Sequence, residues 1–382
     1  MPEPRTVLIL DYNVTATMLS GHSLLCLLDH LDRSRYVPVV VFNRPAEVER
    51  AVSARGVEAV VVPHGGGSWL RRGWEYGRLP FALGSIARRT KPSLVHANNA
   101  MAARAAIALK TVTGLPVLVH IRNIGLHPRV APFVLRADSF APVSQATLEG
   151  TLPPRLHPRA TVVADGLDLS EYPACDASAR ADARRALGLP VEALIVGMAG
   201  RLSAQKGQRY FVEAAGSLLA SRADVVFVHA GKVPCADSSD AYERELASST
   251  AAWSASGRFR WLEYVDSIPR FWAAVDVAAA PSCGPDAFPR VVIEAMAARR
   301  PVVATPAGGP QEIITTPDVG ALVPMGDGRA LAAAIESLLD DPVRRERMGD
   351  AARRRVESSY SAGAYALKVM DLYDRLVSRG AS

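Results

Sequence analysis

Short, nearly unbroken apolar runs alternate along this chain with longer stretches whose apolar residues recur every three or four positions. In the first half the runs Val7–Asp11, Val37–Phe42, Ala59–Val62, Leu94–Ala97, Val117–Ile121, Phe140–Val143 and Thr161–Val163 predict strands. Met18–Leu31, Ala46–Arg55 and Met101–Val112 predict helices between them. Strands apolar on both faces and separated by helices belong in a parallel sheet covered on both sides.

The alternation pauses at Gly166–Pro190, where turn residues flank a charged Ala/Arg/Asp stretch. It then restarts with strands Leu194–Met198, Val225–Ala230, Phe259–Tyr264, Val277–Ala280 and Val302–Ala304 and helices Gln208–Ala220, Ala241–Trp253 and Val291–Ala298. Three further helical patterns, Arg329–Leu339, Val343–Val356 and Ala362–Val377, close the chain. The pattern predicts two doubly wound α/β domains: 1–168, with a final helix at 361–382 packing back on it, and 191–360, joined by a linker at 169–190. In such a pair, ligands are expected at the carboxyl ends of the strands, in a cleft that the domains face.

The length of 382 residues suits two domains. With 49% apolar and 21% charged residues the composition is that of a soluble globular protein. No apolar run is long enough to span a bilayer, and Met1–Tyr12 reads as a lead into a strand, not as a signal peptide. Four scattered cysteines without a Cys-x-x-Cys pair fit reduced thiols and a cytoplasmic setting. The net charge of +6 comes from dispersed arginines without interleaved aromatics, which argues against nucleic acid as a partner. Only five lysines occur, so Lys206 beside a glycine turn stands out.

The segment Met198–Gly207 breaks from a strand into a turn carrying Arg201 and Lys206, and a helix follows Gly207. A helix start with two nearby cations suits an anion such as a diphosphate. A solvated cation pair in a surface turn is the plainer alternative. There is no Gly-x-x-x-x-Gly-Lys-Ser/Thr loop and no Gly-x-Gly-x-x-Gly after a strand.

Downstream, Asp286 precedes a predicted helix start at Pro289, and Glu294 lies inside the apolar run Val291–Ala297. A carboxylate so flanked needs a partner or ligand hydroxyls as donors. The alternative is a capping Asp and an unrelated Glu. Gly308 and Gly309 follow a strand and would let backbone approach a ligand closely.

Taken together, Gly200-Arg201-Leu202-Ser203 with Lys206-Gly207, Pro281-Ser282, Asp286 followed after seven intervening residues by Glu294-Ala295-Met296-Ala297, Pro301–Thr305 and Gly308-Gly309 with Glu312 resemble family 4 of the retaining GT-B glycosyltransferases. Val95–Asn98, Val119–Arg122, Pro142–Ser144, Asp165–Asp168, Glu263–Pro269 and Gly320–Pro324 extend the resemblance over nearly the whole chain.

The resemblance implies the GT-B fold, two Rossmann-like domains facing a central cleft, and transfer of a sugar from a nucleoside-diphosphate sugar, a UDP-sugar first among them. Arg201 and Lys206 would hold the diphosphate, Glu294 the ribose and Asp286 the transferred sugar. Backbone N–H groups of Phe288, Pro289 (which has none of its own), Arg290 and Val291 mark the stretch that would meet sugar or phosphate, with Gly308 and Gly309 beside it. His120 would sit near the reacting carbon, and Gly21 and His22 would form the loop of the N-terminal domain. The acceptor would be a small molecule or a lipid.

Four departures stand out: Asp286 where the family usually has Glu, Asp165 where Asn is common, Arg299 where Gly is frequent, and a glycine loop reduced to Ser20-Gly21-His22. No Asp-x-Asp is present and the histidines do not cluster, so no metal and no other cofactor is expected. An epimerase or phosphorylase of the same fold, or a sugar-nucleotide-binding protein without transfer, are the alternatives. Trp69, Arg71, Arg72 and Trp74 put aromatics beside cations, a candidate for peripheral membrane contact. A solvated loop and an ordinary amphipathic helix are the simpler reading there, since Gly73 and Gly77 interrupt any clean helical face.

Overall fold

The computed structural model describes residues 3–12, 21–64, 69–173, 176–235 and 237–380. The chain divides into two compact units, one comprising the residues up to Gly166 together with those from Ala362 onward, the other Leu167–Ser361.

The first unit runs β1 (Arg5–Asp11), α1 (His22–His30), β2 (Tyr36–Phe42), α2 (Glu47–Ser53), β3 (Glu58–Val61), α3 (Trp69–Thr90), β4 (Leu94–Ala97), α4 (Ala103–Thr113), β5 (Val117–Ile121), α5 (Ala131–Val134), β6 (Ser139–Pro142) and α6 (Gln145–Thr151). Its six strands are all parallel, in the order β3-β2-β1-β4-β5-β6. The expected strand Thr161–Val163 does not form. Its Thr161 and Val163 N–H groups bond Phe140 and Pro142 carbonyls at 3.0 and 2.9 Å, but only an isolated bridge results. Alternate N–H groups satisfy the backbone there without a full ladder.

The second unit runs α7 (Ala177–Ala186), β7 (Leu194–Ala199), α8 (Gln208–Leu219), β8 (Val225–Ala230), α9 (Ala241–Ala255), β9 (Phe259–Leu262), α10 (Ile268–Ala274), β10 (Val277–Ala280), α11 (Arg290–Ala297), β11 (Val302–Ala304), α12 (Gly309–Ile313), β12 (Ala321–Leu322), α13 (Gly328–Leu339) and α14 (Pro342–Ser359). Its parallel sheet has the order β12-β11-β10-β7-β8-β9. Counted from its own first strand, this is the same winding as in the first unit. In both, the strand order reverses beside the first strand: between β1 and β4, and between β7 and β10. Those are the points where ligands bind in doubly wound sheets.

The stretch 169–190, expected as a linker, holds α7 and belongs to the second unit. Arg184 on α7 is buried and donates to Asp276 at 2.6 Å and to the Ala274 carbonyl at 3.0 Å. Asp276 also accepts from the Ile195 N–H at 2.7 Å, so one carboxylate ties α7 to the start of β7.

The last helix, α15 (Ala362–Gly380), belongs to the first unit. Its Tyr365, Val369, Tyr373 and Leu376 complete the core formed with α1, α2 and one face of the sheet. The opposite face is covered by α3 and α4. The side chains of Trp69, Arg71, Arg72 and Trp74 lie outside the described residues. Helix α3 itself runs unbroken through Gly73, Gly77 and Pro80. Among the described residues no helix is long and apolar enough to cross a membrane.

Candidate functional site

Strand β7 ends at Ala199, and Gly200 (φ +144°) turns the chain into the segment that carries Arg201 and Lys206. Gly207 closes that turn at φ +79°, and a β-carbon there would lie 1.9 Å from the Pro281 carbonyl oxygen. Only glycine lets the turn press against the backbone that follows β10. The two strand ends at the reversal point are thereby brought together.

The consequence is direct contact between two of the predicted residues. Lys206 Nζ donates to Asp286 Oδ2 at 2.7 Å, and Ser282 Oγ donates to the same oxygen at 2.9 Å. The Asp286 carboxylate is almost wholly buried, and Lys206 is one-quarter exposed. The backbone of Asp286 is held from the other side: its N–H donates to Ala307 O at 2.7 Å, and its carbonyl accepts from the Gly309 N–H at 2.8 Å. A β-carbon on Gly309 would come within 2.5 Å of the Ala287 carbonyl, so this staple also requires glycine. Gly308 bridges Asp286 in the parallel sense.

Arg201 is exposed in the turn that follows Gly200. Its carbonyl is held by Gln208 Nε2 at 2.8 Å. Gln208 is fully buried at the start of α8, and Tyr242 donates to its Oε1 at 3.2 Å. Gln208 was not singled out from the sequence, and Ser282 was noted there as part of the resemblance but given no role. A polar residue opening an apolar helix, and a serine closing an apolar strand, were the available signals.

Glu294 stands apart. It sits in α11 after Pro289, which caps the helix, and its Oε1 is 3.4 Å from Arg290 Nε. Burial pushes its carboxyl up from the usual range, against the pull of Arg290 and of the Trp272 indole. The same burial, with the Glu294 charge nearby, pushes the Tyr172 phenol up. Among the described residues no hydrogen bond or ion pair joins Glu294 to Asp286. Phe288 packs its ring 5.5 Å from that of Tyr360, and Val291 is half-buried in the first turn of α11. That turn offers the N–H groups that a helix start leaves without partners.

His120 is not at an accessible position, contrary to expectation. It has no exposed surface. Along β5, Val117, Val119 and Ile121 face the core under α3 and α4, whereas Leu118 faces the opposite core. Strand alternation puts His120 with Leu118, under α15. Its ring stacks on His96 at 5.7 Å and lies 6.1 Å from Tyr365. Burial drives its pKa well down, so it is a neutral core residue. As placed, it presents no surface to a ligand.

The reversal point of the first unit instead gathers Asp11, Asn98, Asn99, Arg122 and Asp165, to which sequence reasoning gave no role. Asp11, at the end of β1, accepts from Asn98 and Asn99 amides at 3.2 and 2.9 Å. Arg122 donates to the Asn98 carbonyl at 2.9 Å, to Asn98 Oδ1 at 3.0 Å and to the Tyr365 hydroxyl at 3.3 Å, and it pairs with Asp165. Asp165 in place of the commoner Asn thus gives half-buried Arg122 its counter-charge. Gly21 is buried at the start of α1 and His22 exposed in its first turn.

Residues 193–341 match the family described as glycosyl transferases group 1. A lipopolysaccharide core biosynthesis mannosyltransferase, LpcC, of Rhizobium leguminosarum bv. viciae is 32% identical over 57% of this chain and 60% of its own length. A D-inositol 3-phosphate glycosyltransferase of Corynebacterium urealyticum is 32% identical over 57% of this chain and 51% of its own. The chain thus matches about half to three-fifths of the length of these curated relatives. Among solved structures, Anabaena HepE in complex with UDP superposes with a TM-score of 0.81 at 22% identity, covering 97% of this chain and all of that one. Sucrose-phosphate synthase of Thermosynechococcus elongatus gives 0.79 at 20% identity, covering 99% of this chain and 100% of its own. The fold is accordingly GT-B, built of two Rossmann-like domains.

Proposed function

We propose that this protein is a glycosyltransferase that moves a sugar from a nucleoside-diphosphate sugar, with a UDP-sugar as the first candidate donor, to a small-molecule or lipid acceptor. The observation that carries the reading is the convergence of Lys206, Asp286 and the Gly308–Gly309 turn at the reversal point of the second sheet. The group 1 match over 193–341 and the named transferase relatives support it.

In this reading Arg201 and Lys206 neutralise the departing diphosphate. The charge on that group grows as the glycosidic bond stretches, so fixed cations favour the transition state over the ground state. Glu294 takes the ribose hydroxyls and Asp286 a hydroxyl of the sugar. Two cations do the work that a metal ion would otherwise do, and we propose that transfer proceeds without metal and with retention of configuration. Asp286 and Glu294 hold hydroxyls here and are not the acid and nucleophile of a glycosidase. No role in the chemistry is given to His120.

The test is a thermal-shift panel of UDP-, GDP- and dTDP-sugars, followed by turnover with candidate acceptors in the presence of a chelator. At a hundredfold excess over its dissociation constant a donor adds about 2.7 kcal/mol to stability, a rise of roughly 5–10 °C. Free nucleoside diphosphate should then appear only when acceptor is present. A panel without any shift would overturn the reading, and release without acceptor would point to hydrolysis or epimerisation. Sedimentation with anionic against neutral vesicles separates a lipid acceptor from a soluble one.

A further inference from the structure

Asp286 has two carboxylate oxygens, and the structure uses them unequally. Both side-chain donors that reach it, Lys206 Nζ at 2.7 Å and Ser282 Oγ at 2.9 Å, go to Oδ2. Oδ1 accepts no hydrogen bond from any described residue. A free carboxylate has about four lone-pair positions to offer a ligand. This one presents a single open oxygen in a fixed direction.

The serine cannot drift. Ser282 is buried, and its carbonyl accepts from the Thr305 hydroxyl at the end of β11. The next residue, Cys283, donates its N–H to the Gln205 carbonyl at 2.9 Å, and Gln205 Nε2 donates in turn to the Pro285 carbonyl. The segment 282–286 is therefore stapled to the turn that carries Lys206. The hydroxyl of Ser282 is held independently of Lys206, which is the more exposed of the two donors. A Lys206 turned away to a diphosphate would leave Ser282 on Oδ2.

We propose that Ser282 is a positioning residue that sets donor-sugar specificity: it keeps Asp286 Oδ2 occupied and so leaves Oδ1 as the sole acceptor for one sugar hydroxyl. The inference rests on the glycosyl-transfer reading. Aspartate has one fewer methylene than glutamate, so the carboxylate cannot swing to recover a second contact. A sugar epimer that turns the recognised hydroxyl away loses its only bond to this group.

The experiment is calorimetric titration of wild type and Ser282→Ala with two pairs of probes, UDP with UDP-glucose and GDP with GDP-mannose, plus UDP-galactose as an epimer. The quantity read is the ratio of sugar-nucleotide to nucleotide affinity. Ser282→Ala should lower that ratio roughly tenfold, the scale of one hydrogen bond to a charged group. Affinity for the bare nucleotide should stay within about twofold, and the preference between UDP-glucose and UDP-galactose should narrow. Ser282→Thr, which keeps the hydroxyl, should restore the ratio. Ser282→Cys, near in size but a weak donor, carries the same expectation as alanine and serves if the alanine variant does not fold. An unchanged ratio, whether both affinities hold or both fall, would overturn the positioning role while leaving the glycosyl-transfer reading in place. If wild type binds neither pair, that reading falls and the inference with it.

Discussion

Lys206 and Asp286 neutralise one another at 2.7 Å, and that contact fixes what each substitution should do. Arg201→Ala or Lys206→Ala should reduce transfer by roughly 10²–10³, the scale for losing one preorganised donor to developing charge. Wild-type turnover in either folded variant would rule out the diphosphate role. The two carboxylates should separate by ligand half. Glu294→Gln should weaken UDP binding itself, whereas Asp286→Ala should leave UDP affinity near wild type and act on the sugar nucleotide. Equal loss of UDP affinity in both would collapse that division. Another residue carries strain instead of chemistry. Arg299 has φ +58° two positions beyond the end of α11, just past the capping Ala298. Its N–H bonds the Met296 carbonyl and the Arg300 N–H bonds the Ala295 carbonyl, the pair of bonds that ends a helix with a left-handed residue. Glycine takes that conformation freely, whereas an L side chain is penalised by about 1 kcal/mol or more. The ion pair of Arg299 with Asp350, at 3.4 Å between two well-exposed side chains, offsets little of this. Arg299→Gly should therefore raise stability by about 1 kcal/mol in urea unfolding. An unchanged or lower midpoint would show that Asp350 holds the turn more strongly than an exposed pair should.

Elements buried on both faces were legible in the sequence, because a parallel strand is a continuous apolar run and needs no partner to be recognised. Leu94–Ala97, Val117–Ile121, Val225–Ala230, Val277–Ala280 and Val302–Ala304 have the predicted bounds. Elements held by long-range polar contacts were not. Helix α7 reads as a polar linker because its anchor, Arg184 to Asp276, spans 92 residues. The error over His120 has a local cause. The resemblance, and not its place in the strand, put it near a reacting carbon, whereas the two-residue alternation of β5 already assigned it to the face of Leu118. Which helix covers that face is a matter of topology, and the cover is α15, from the far end of the chain. That helix allows a test at this scale. Ending the chain at Ser361 would uncover His96, His120 and the apolar face of α1 while removing nothing from the second unit. Hydrogen exchange should show protection lost across β1, β4 and β5 and retained in β7, β8 and β10. Retained protection in β1 would mean that the first unit closes its core without α15.

Across the whole molecule, both units bury neutral histidines, and this gives the protein a direction in pH. His96 and His120 lie in the first unit among Arg122, Tyr365 and Tyr373, and His229 lies in the second against Trp261 and Gln208. Burial lowers all three, His96 and His229 to about 3, and the Arg122 charge adds to the shift for His96 and His120. In the unfolded chain these rings titrate near 6.5. Between that value and the folded value the unfolded state binds more protons, so stability falls as pH falls through this window. Above pH 6.5 the three rings are neutral in both states and contribute no slope. Glu294 works in the opposite sense, because a carboxyl raised by burial gains protons on folding, but its effect begins nearer the ordinary carboxylate range. The expected outcome is a melting temperature that is flat from pH 8 to 7 and drops between pH 6.5 and 5. Each buried histidine should contribute on the order of 1–2 kcal/mol at pH 5. His120→Phe, which keeps a ring in the core but cannot be protonated, should give a shallower fall. A variant with the same slope as wild type would show that the ring is already reached by water or protons in the folded state, and would reopen the question of whether His120 is accessible.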